Sequence, residues 1–481
     1  MGIGTREQYI KRLREQNPEI HMGGKRVENM VDDPHFMVGI NSIATTYDSA
    51  NDPAYEDLAT VKSSLIGVKI SRWTHILENQ HDAIAKVKLM RKSGESCCFC
   101  NYRCLTNDTL NTAWIISYDI DKKYNTNYHS RVREIVKRVQ KEDLAIGGTV
   151  IDCKGVRTLK PSEQPDPDVY LHLVEKRKDG IIVRGAKAHS TAVGYTNMLC
   201  ALPCIAMGEN EKDYAVAFFA PVDTKGIKFI ARPSPVPSEK KKFENPISSK
   251  YGHVEFMAIY DNVFIPWENV FMCGEYEFSG QLVLTFTGHH ILNKCGCRAA
   301  AMELDIGATA LVAEVNGVEK ASHIRGYISE MMVNTELVYS CGIASAVDGV
   351  THESGAFIPN FIPAFASKYY AAKKLGEHRY YMQDTAGGLV ETMSSEKDIL
   401  EPETGKYLEK YLKGKEGVPT ENRIRAIKLI EELTASPFAG WYHAMCISGG
   451  GGPQLLKQAI NYAYDVKSLV KRAKSITGIE D

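Results

Sequence analysis

Long apolar runs are missing from this chain of 481 residues. The longest, YAVAFFAPV at 214–222, is less than half the ~20 residues needed to span a bilayer, so no membrane segment is expected. An excess of charge is missing as well. The 58 Lys and Arg are matched by 59 Asp and Glu, which removes the basic footprint of a nucleic-acid binder and any charged tail. The opening MGIGTREQYIKRLREQN lacks the apolar core of a secretory signal, and Arg6 stands where a myristoylation pattern needs Ser or Thr. No internal repeat or low-complexity tract is present. What remains has ordinary globular composition, is expected in the cytoplasm, and is long enough for two or three domains.

Cysteine, by contrast, is abundant. Twelve thiols in a reducing compartment read as free groups or metal ligands and not as a disulfide framework. Four of them, Cys97, Cys98, Cys100 and Cys104, fall in the stretch CCFCNYRC.

The texture of the chain changes twice. Residues 1–147 carry helix-period patterns with charged faces, as in AIAKVKLMRKSGE and HSRVREIVKRVQKEDL. Residues 148–279 carry short β-rich runs such as GIIVRGA, DYAVAFFAPV, GIKFIARP and HVEFMAIYDNVFIP between Gly, Pro and Asp turns. RPSPVPSEKKKFENP reads as a solvated loop within that region. Residues 280–481 return to long one-faced helical segments. The fold class is α+β: a helical N-terminal domain, a β middle domain and a C-terminal helical bundle.

On a helix, Cys100 and Cys104 are four apart and share a face. In GHHILNKCGCRAA, His290 and Cys297 are seven apart, which is two turns, or about 10 Å. One tetrahedral zinc needs donors within ~4 Å of each other, and a zinc ribbon wants CxxC knuckles. A wider inorganic body suits the wider pair. An iron–sulfur cluster held by three thiolates and one imidazole would fit, with Gly288 and Gly296 letting the helix end or bend. Buried structural thiols beside two surface histidines fit the spacing equally well, and His289 next to His290 leaves the imidazole ambiguous.

Several further stretches carry a resemblance over nearly the whole length: ENMVDDPHF, SSLIGVKISR at 63–72, DIDKKYNTNYH at 119–129, DPDVYLHLVEKRKDGIIVRGAKAHSTAV, YDNVFIPWENVF, DTAGGLVETMSSEKD and GGGGPQ. By these the chain resembles the flavin-dependent 4-hydroxyphenylacetate 3-hydroxylase family, and within it the dehydratase branch that acts on 4-hydroxybutyryl-CoA. The resemblance implies an acyl-CoA dehydrogenase-like fold with a middle β-barrel, a homotetramer, FAD, and a 4Fe–4S cluster on Cys100, Cys104, His290 and Cys297. It implies a radical dehydratase of a 4-hydroxyacyl-CoA thioester with vinylacetyl-CoA Δ-isomerase activity. A base alone cannot do this chemistry, because the hydrogen to be lost sits β to the thioester and hydroxide leaves poorly. In that branch a flavin takes one electron from the deprotonated thioester and the cluster assists the departing hydroxyl.

The same resemblance marks site residues. His290 serves as ligand and as candidate base. Glu255 aligns with an acidic site residue, and Lys294 stands where the branch has a tyrosine. For FAD the candidates are Lys187, His189, Ser190 and Thr191 at a strand end, Arg157, the turn Ala386, Gly387 and Gly388, and Gly450, Gly451 and Gln454 in the glycine run. Met445 takes the place of a glutamate and Arg298 that of a lysine. Cys97, Cys98 and Cys295 are expected to be packing thiols. The other readings are a two-component flavin monooxygenase of phenols and a flavin-free scaffold with structural zinc. The first has no use for the quartet.

Overall fold

The computed structural model describes residues 2–237 and 243–479. Helix α1 (Arg6–Glu15) starts from a reciprocal cap: the Thr5 hydroxyl accepts from the Gln8 N–H and the Gln8 side chain accepts from the Thr5 N–H. α2 (Pro34–Asn51) follows Asp33, whose carboxylate takes the His35 N–H, with Pro34 pre-set for the first turn. α3 (Gln80–Cys97), α4 (Cys104–Tyr124) and α5 (Tyr128–Glu142) complete this part. α4 and α5 each end on a left-handed residue, Asn125 and Asp143.

The β region forms two sheets. The larger runs Lys25–Arg26, Glu19–Met22, Ile227–Pro233, Val254–Pro266, Gly180–His189, Ile151–Asp152, with His172–Lys176 also paired to Gly180–His189. The smaller runs Val270–Cys273, Val216–Pro221, Met198–Ala201, Ile146–Thr149. The chain turns from Thr149 to Ile151 without a ladder joining the two, so the expected barrel takes the form of two separate sheets. In Val254–Pro266 alternate side chains point inward, and Val254, Phe256, Ala258 and Tyr260 are buried. The sheets meet through Phe218 against Tyr260 and the Thr149–Tyr260 hydroxyl pair at 2.7 Å. Glu19–Met22, from the helical texture, pairs in parallel with Ile227–Pro233, and the texture change at 147/148 falls inside a strand. Such short strands carry too few residues to show a period. The stretch read as a solvated loop lies partly outside the described residues. Its far end is pinned, with Phe243 buried and its N–H held by Glu396.

Seven longer helices follow: α6 (Ser279–Asn316), α7 (Ser322–Val347), α8 (Phe361–Ala386), α9 (Thr420–Thr434), α10 (Pro437–Ser448), α11 (Pro453–Ala463) and α12 (Val466–Thr477). α12 buries none of its residues within the chain. No helix among the described residues is long and apolar enough to cross a membrane.

Two glycines set the framework of the site. A Cβ on Gly296 of α6 would stand 2.4 Å from the Val87 carbonyl oxygen and 2.6 Å from Met90 Cβ, and one on Gly94 of α3 would stand 2.5 Å from Ala300 Cβ. α3 and α6 therefore cross at near-backbone contact. The helix end allowed for at Gly288 or Gly296 does not occur: α6 runs on through both, and Gly288 receives the Phe361 ring.

Candidate functional site

The helix expected through Cys100 and Cys104 is also absent. α3 stops at Cys97, Cys98 (φ 71°) and Tyr102 (φ 62°) adopt left-handed conformations, and α4 begins only at Cys104. Side chains replace the missing helical bonds. Asn101 Oδ1 accepts from the Arg103 N–H at 2.9 Å, its Nδ2 donates to Ser93 Oγ at 2.9 Å, and the Tyr102 N–H points at Cys100 Sγ at 3.4 Å. Arg103, fully buried, anchors the connection by pairing with Asp143 and stacking on the Tyr47 ring.

This connection meets the face of α6 that carries His290, Lys294, Cys297 and Arg298. The Cys100 thiol lies against those of Cys104 and Cys297; the Cys104 contact and burial push Cys100 well above the ordinary thiol range, and the Cys100 contact and burial do the same to Cys297. A Cys104 sulfur, an Asp108 oxygen and a His290 nitrogen lie within 4.8 Å of one another. All four sequence-predicted ligands thus converge, joined by Asp108, which spacing did not reveal. The donor set, three thiols and an imidazole drawn in from buried positions, suits a soft metal centre.

Asp108 orders its surroundings. Its carboxylate, fully buried, accepts from Lys86 at 3.0 Å, Asn293 at 2.6 Å and His290 Nδ1 at 3.0 Å. With the proton held on Nδ1, the His290 Nε2 lone pair is free. Burial lowers the His290 pKa and keeps the ring neutral. His289, wholly buried with neither ring nitrogen partnered, is pushed down to about 3 by desolvation and lies against Phe361, whereas His290 is the imidazole grouped with Cys104 and Asp108.

A second polar line leads away from Cys100. The Tyr102 hydroxyl donates to His253 Nδ1 at 2.6 Å and also lies 3.6 Å from Met445 Sδ. His253 Nε2–H donates to Glu255 Oε1 at 2.9 Å, and the Thr191 hydroxyl donates to the same oxygen at 2.8 Å. Burial pushes Glu255 up, but the His253 and Thr191 hydrogen bonds outweigh it and hold the group below the ordinary carboxylate range. Its Oε2 is buried without a partner, as is Ser190 Oγ. Tyr102 and His253 gave no sequence signal, because their roles come from pairing across 151 residues.

The flavin candidates fall in several places. Ser190 and Thr191 adjoin Glu255, and the two orphaned oxygens there fit a polar ligand; His189 is exposed beside them. Lys187 is engaged inward, paired with Asp152 at 2.8 Å and donating to the Val150 and Leu202 carbonyls. Arg157 lies on an exposed turn. The glycine run covers α6: a Cβ on Gly450 would stand 3.1 Å from His290 Cδ2 and 3.0 Å from Lys294 Cε, while Gln454 is exposed just beyond it. Ala386, Gly387 and Gly388 close the far end of α8, about 27 Å along the helix from Lys368 at 1.5 Å per residue. Cys97 and Cys295 are buried packing thiols.

Two family profiles match the chain, the 4-hydroxyphenylacetate 3-hydroxylase N-terminal region over residues 5–272 and its C-terminal region over 279–478. The 4-hydroxybutyryl-CoA dehydratase/vinylacetyl-CoA-Δ-isomerase of Clostridium aminobutyricum is 37% identical, with 99% of each chain covered. The oxygenase component of 4-hydroxyphenylacetate 3-monooxygenase from Thermus thermophilus is 24% identical over 98% of this chain and 96% of its own. An oxygen-tolerant archaeal 4-hydroxybutyryl-CoA dehydratase from N. maritimus superposes with a TM-score of 0.96 at 37% identity, over 100% of this chain and 96% of that one. A 4-hydroxyphenylacetate 3-monooxygenase oxygenase component complexed with FAD superposes at 0.90 with 23% identity over 98% of each chain, a likeness of fold.

Proposed function

The chain belongs to the 4-hydroxyphenylacetate 3-hydroxylase family, and on that premise we propose that it is a hydro-lyase of a 4-hydroxyacyl-CoA thioester that also shifts an enoyl-CoA double bond. The observation that carries this reading is the convergence of Cys100, Cys104, Cys297 and His290, in a chain 37% identical to a dehydratase/isomerase across its length. These four residues would hold a 4Fe–4S cluster, and FAD would lie near Ser190, Thr191 and Glu255. When bound, the cluster supplies Lewis-acid iron and the flavin a one-electron acceptor.

The chain's own residues divide the remaining work. Asp108 keeps the His290 proton on Nδ1, so Nε2 is presented either as a ligand or as an acceptor for a substrate hydrogen. Glu255 has one oxygen fixed by His253 and Thr191 and the other free; held ionised, it suits a base and not an acid. Lys294, bound to Gly449 O at 2.5 Å, stands beside both the thiols and His290. A homotetramer agrees with the fully unburied α12 and with the remote turn at 386–388, which could serve a flavin only at a site that another copy completes.

Anaerobic purification tests the reading. Brown, yellow-shouldered protein with about four iron and four sulfide per chain, eliminating water from 4-hydroxybutyryl-CoA, is expected. Colourless protein that hydroxylates a phenol in air would identify the oxygenase activity of the other relatives instead.

A further inference from the structure

The site face of α6 and the helices behind it carry more positive charge than carboxylates balance. Lys294 and Arg298 stand one turn apart on α6, on the face that presents His290 and Cys297, and both are partly exposed. Lys294 Nζ donates to the Gly449 carbonyl, and the Arg298 guanidinium reaches the Tyr442 hydroxyl at 3.3 Å and the Cys446 sulfur. Behind them, Lys368 Nζ donates to the carbonyls of Cys446 and Ile447 at 3.0 Å each, and Arg379 to that of Ala439. Among the described residues no ion pair joins any of these four cations to a carboxylate. Asp305, the carboxylate on this side, is engaged by His378 at 3.3 Å.

Like charges one turn apart repel, and more so where solvent is scarce. The protein can relieve such a cluster by dropping a proton or by admitting an anion. Lys368, almost wholly buried, takes the first course, and burial with its cationic neighbours pushes it down to about 6. Arg298 cannot, because a guanidinium keeps its proton. Together with Lys294 it stands partly exposed beside the quartet.

We propose that Lys294 and Arg298 form an anion site on this face of α6, and that the acyl chain processed here carries a carboxylate of its own, held by these two cations beside the quartet. The proposal rests on the acyl-CoA reading above and narrows its substrate to monothioesters of dicarboxylic acids. Thioester phosphates offer the same anionic chemistry, so the test separates the two sources.

Anaerobically purified full-length protein is titrated by calorimetry with glutaryl-CoA, with butyryl-CoA, and with the phosphate-free glutaryl- and butyryl-pantetheine. Glutaryl-CoA should bind at least tenfold more tightly than butyryl-CoA, and the preference should persist in the pantetheine pair. Arg298→Gln and Lys294→Met should each erode that ratio, and Arg298→Lys should keep most of it; circular dichroism and thermal melts confirm that each variant is folded. Equal affinity for the charged and uncharged chains overturns the proposal, as does a preference that disappears with the phosphates. Iron and flavin are counted on the same samples. Absent cofactors with an intact preference would defeat the dehydratase reading and leave the anion site standing.

Discussion

The two ends of the α6 site face make opposite use of charge. At His290 every charge is answered: Asp108 receives Lys86, Asn293 and the imidazole within 3.0 Å, and Lys86 and Asn293 are buried with it. One and two turns further on, Lys294 and Arg298 meet only carbonyls, a hydroxyl and sulfur. A closed network fixes geometry, since any member removed leaves a buried charge behind. An open one is stable only at some expense in repulsion, and it shows where charge must come from outside. Cys297 lies on the same face, between Lys294 and Arg298 in sequence.

The sharpest way to break this comparison is at its centre. Cys297→Ser should leave apo-like protein, with iron and sulfide near zero and no dehydration, as read by colorimetric iron and product assays. At the balanced end, Asp108→Asn leaves the Lys86 charge buried without its partner. It should lower stability by about 3–5 kcal/mol in urea unfolding and weaken iron retention about 10–100-fold. Retained iron and an unchanged midpoint would show that the network is incidental.

Next in size is the crossing that holds both ends in place. Gly296→Ala pushes a methyl into the Val87 carbonyl and should cost about 1–3 kcal/mol. Gly307→Ala, on the same helix with open space around it, should gain about 0.5–1 kcal/mol in the same measurement.

The smallest effect concerns the unbalanced end. Lys368 has a folded pKa near 6 against an unfolded value near 10.5, so between those limits the unfolded chain binds the extra proton. Stability should therefore rise with pH from about 6 upward, by about 1 kcal/mol per unit from this group. Lys368→Met should flatten that rise between pH 7 and 9; an unchanged slope would place the titration elsewhere.

How much of this was legible in the sequence follows from how each residue is held. His290 and Cys297 fall on one face as their spacing implied, because α6 is an unbroken helix. Cys100 and Cys104 have an equally helical spacing, yet two left-handed residues and an Asn101 turn route them differently. Their convergence depends on a buried Arg103 that no periodicity predicts. Gly296 was visible as a glycine but was read as a bend, whereas it is a point of contact between two helices. Asp108, Lys86, Tyr102 and His253 stayed hidden because each acquires its role from a partner far along the chain. The order of helical, β and helical textures was plain, but the N-terminal strand that joins the larger sheet was too short to leave a pattern.

Asp108 and His290 are separated by 182 residues, and no local segment can bring them together. During synthesis the first thiols emerge long before α6 exists to oppose them, so an early-folding N-terminal part holds a half-built nest. If the quartet holds an inorganic body, as proposed, that body has to be delivered late, to a chain already folded through its second helical region. That makes maturation, and not translation, the step at which a cell would decide how much working protein it has.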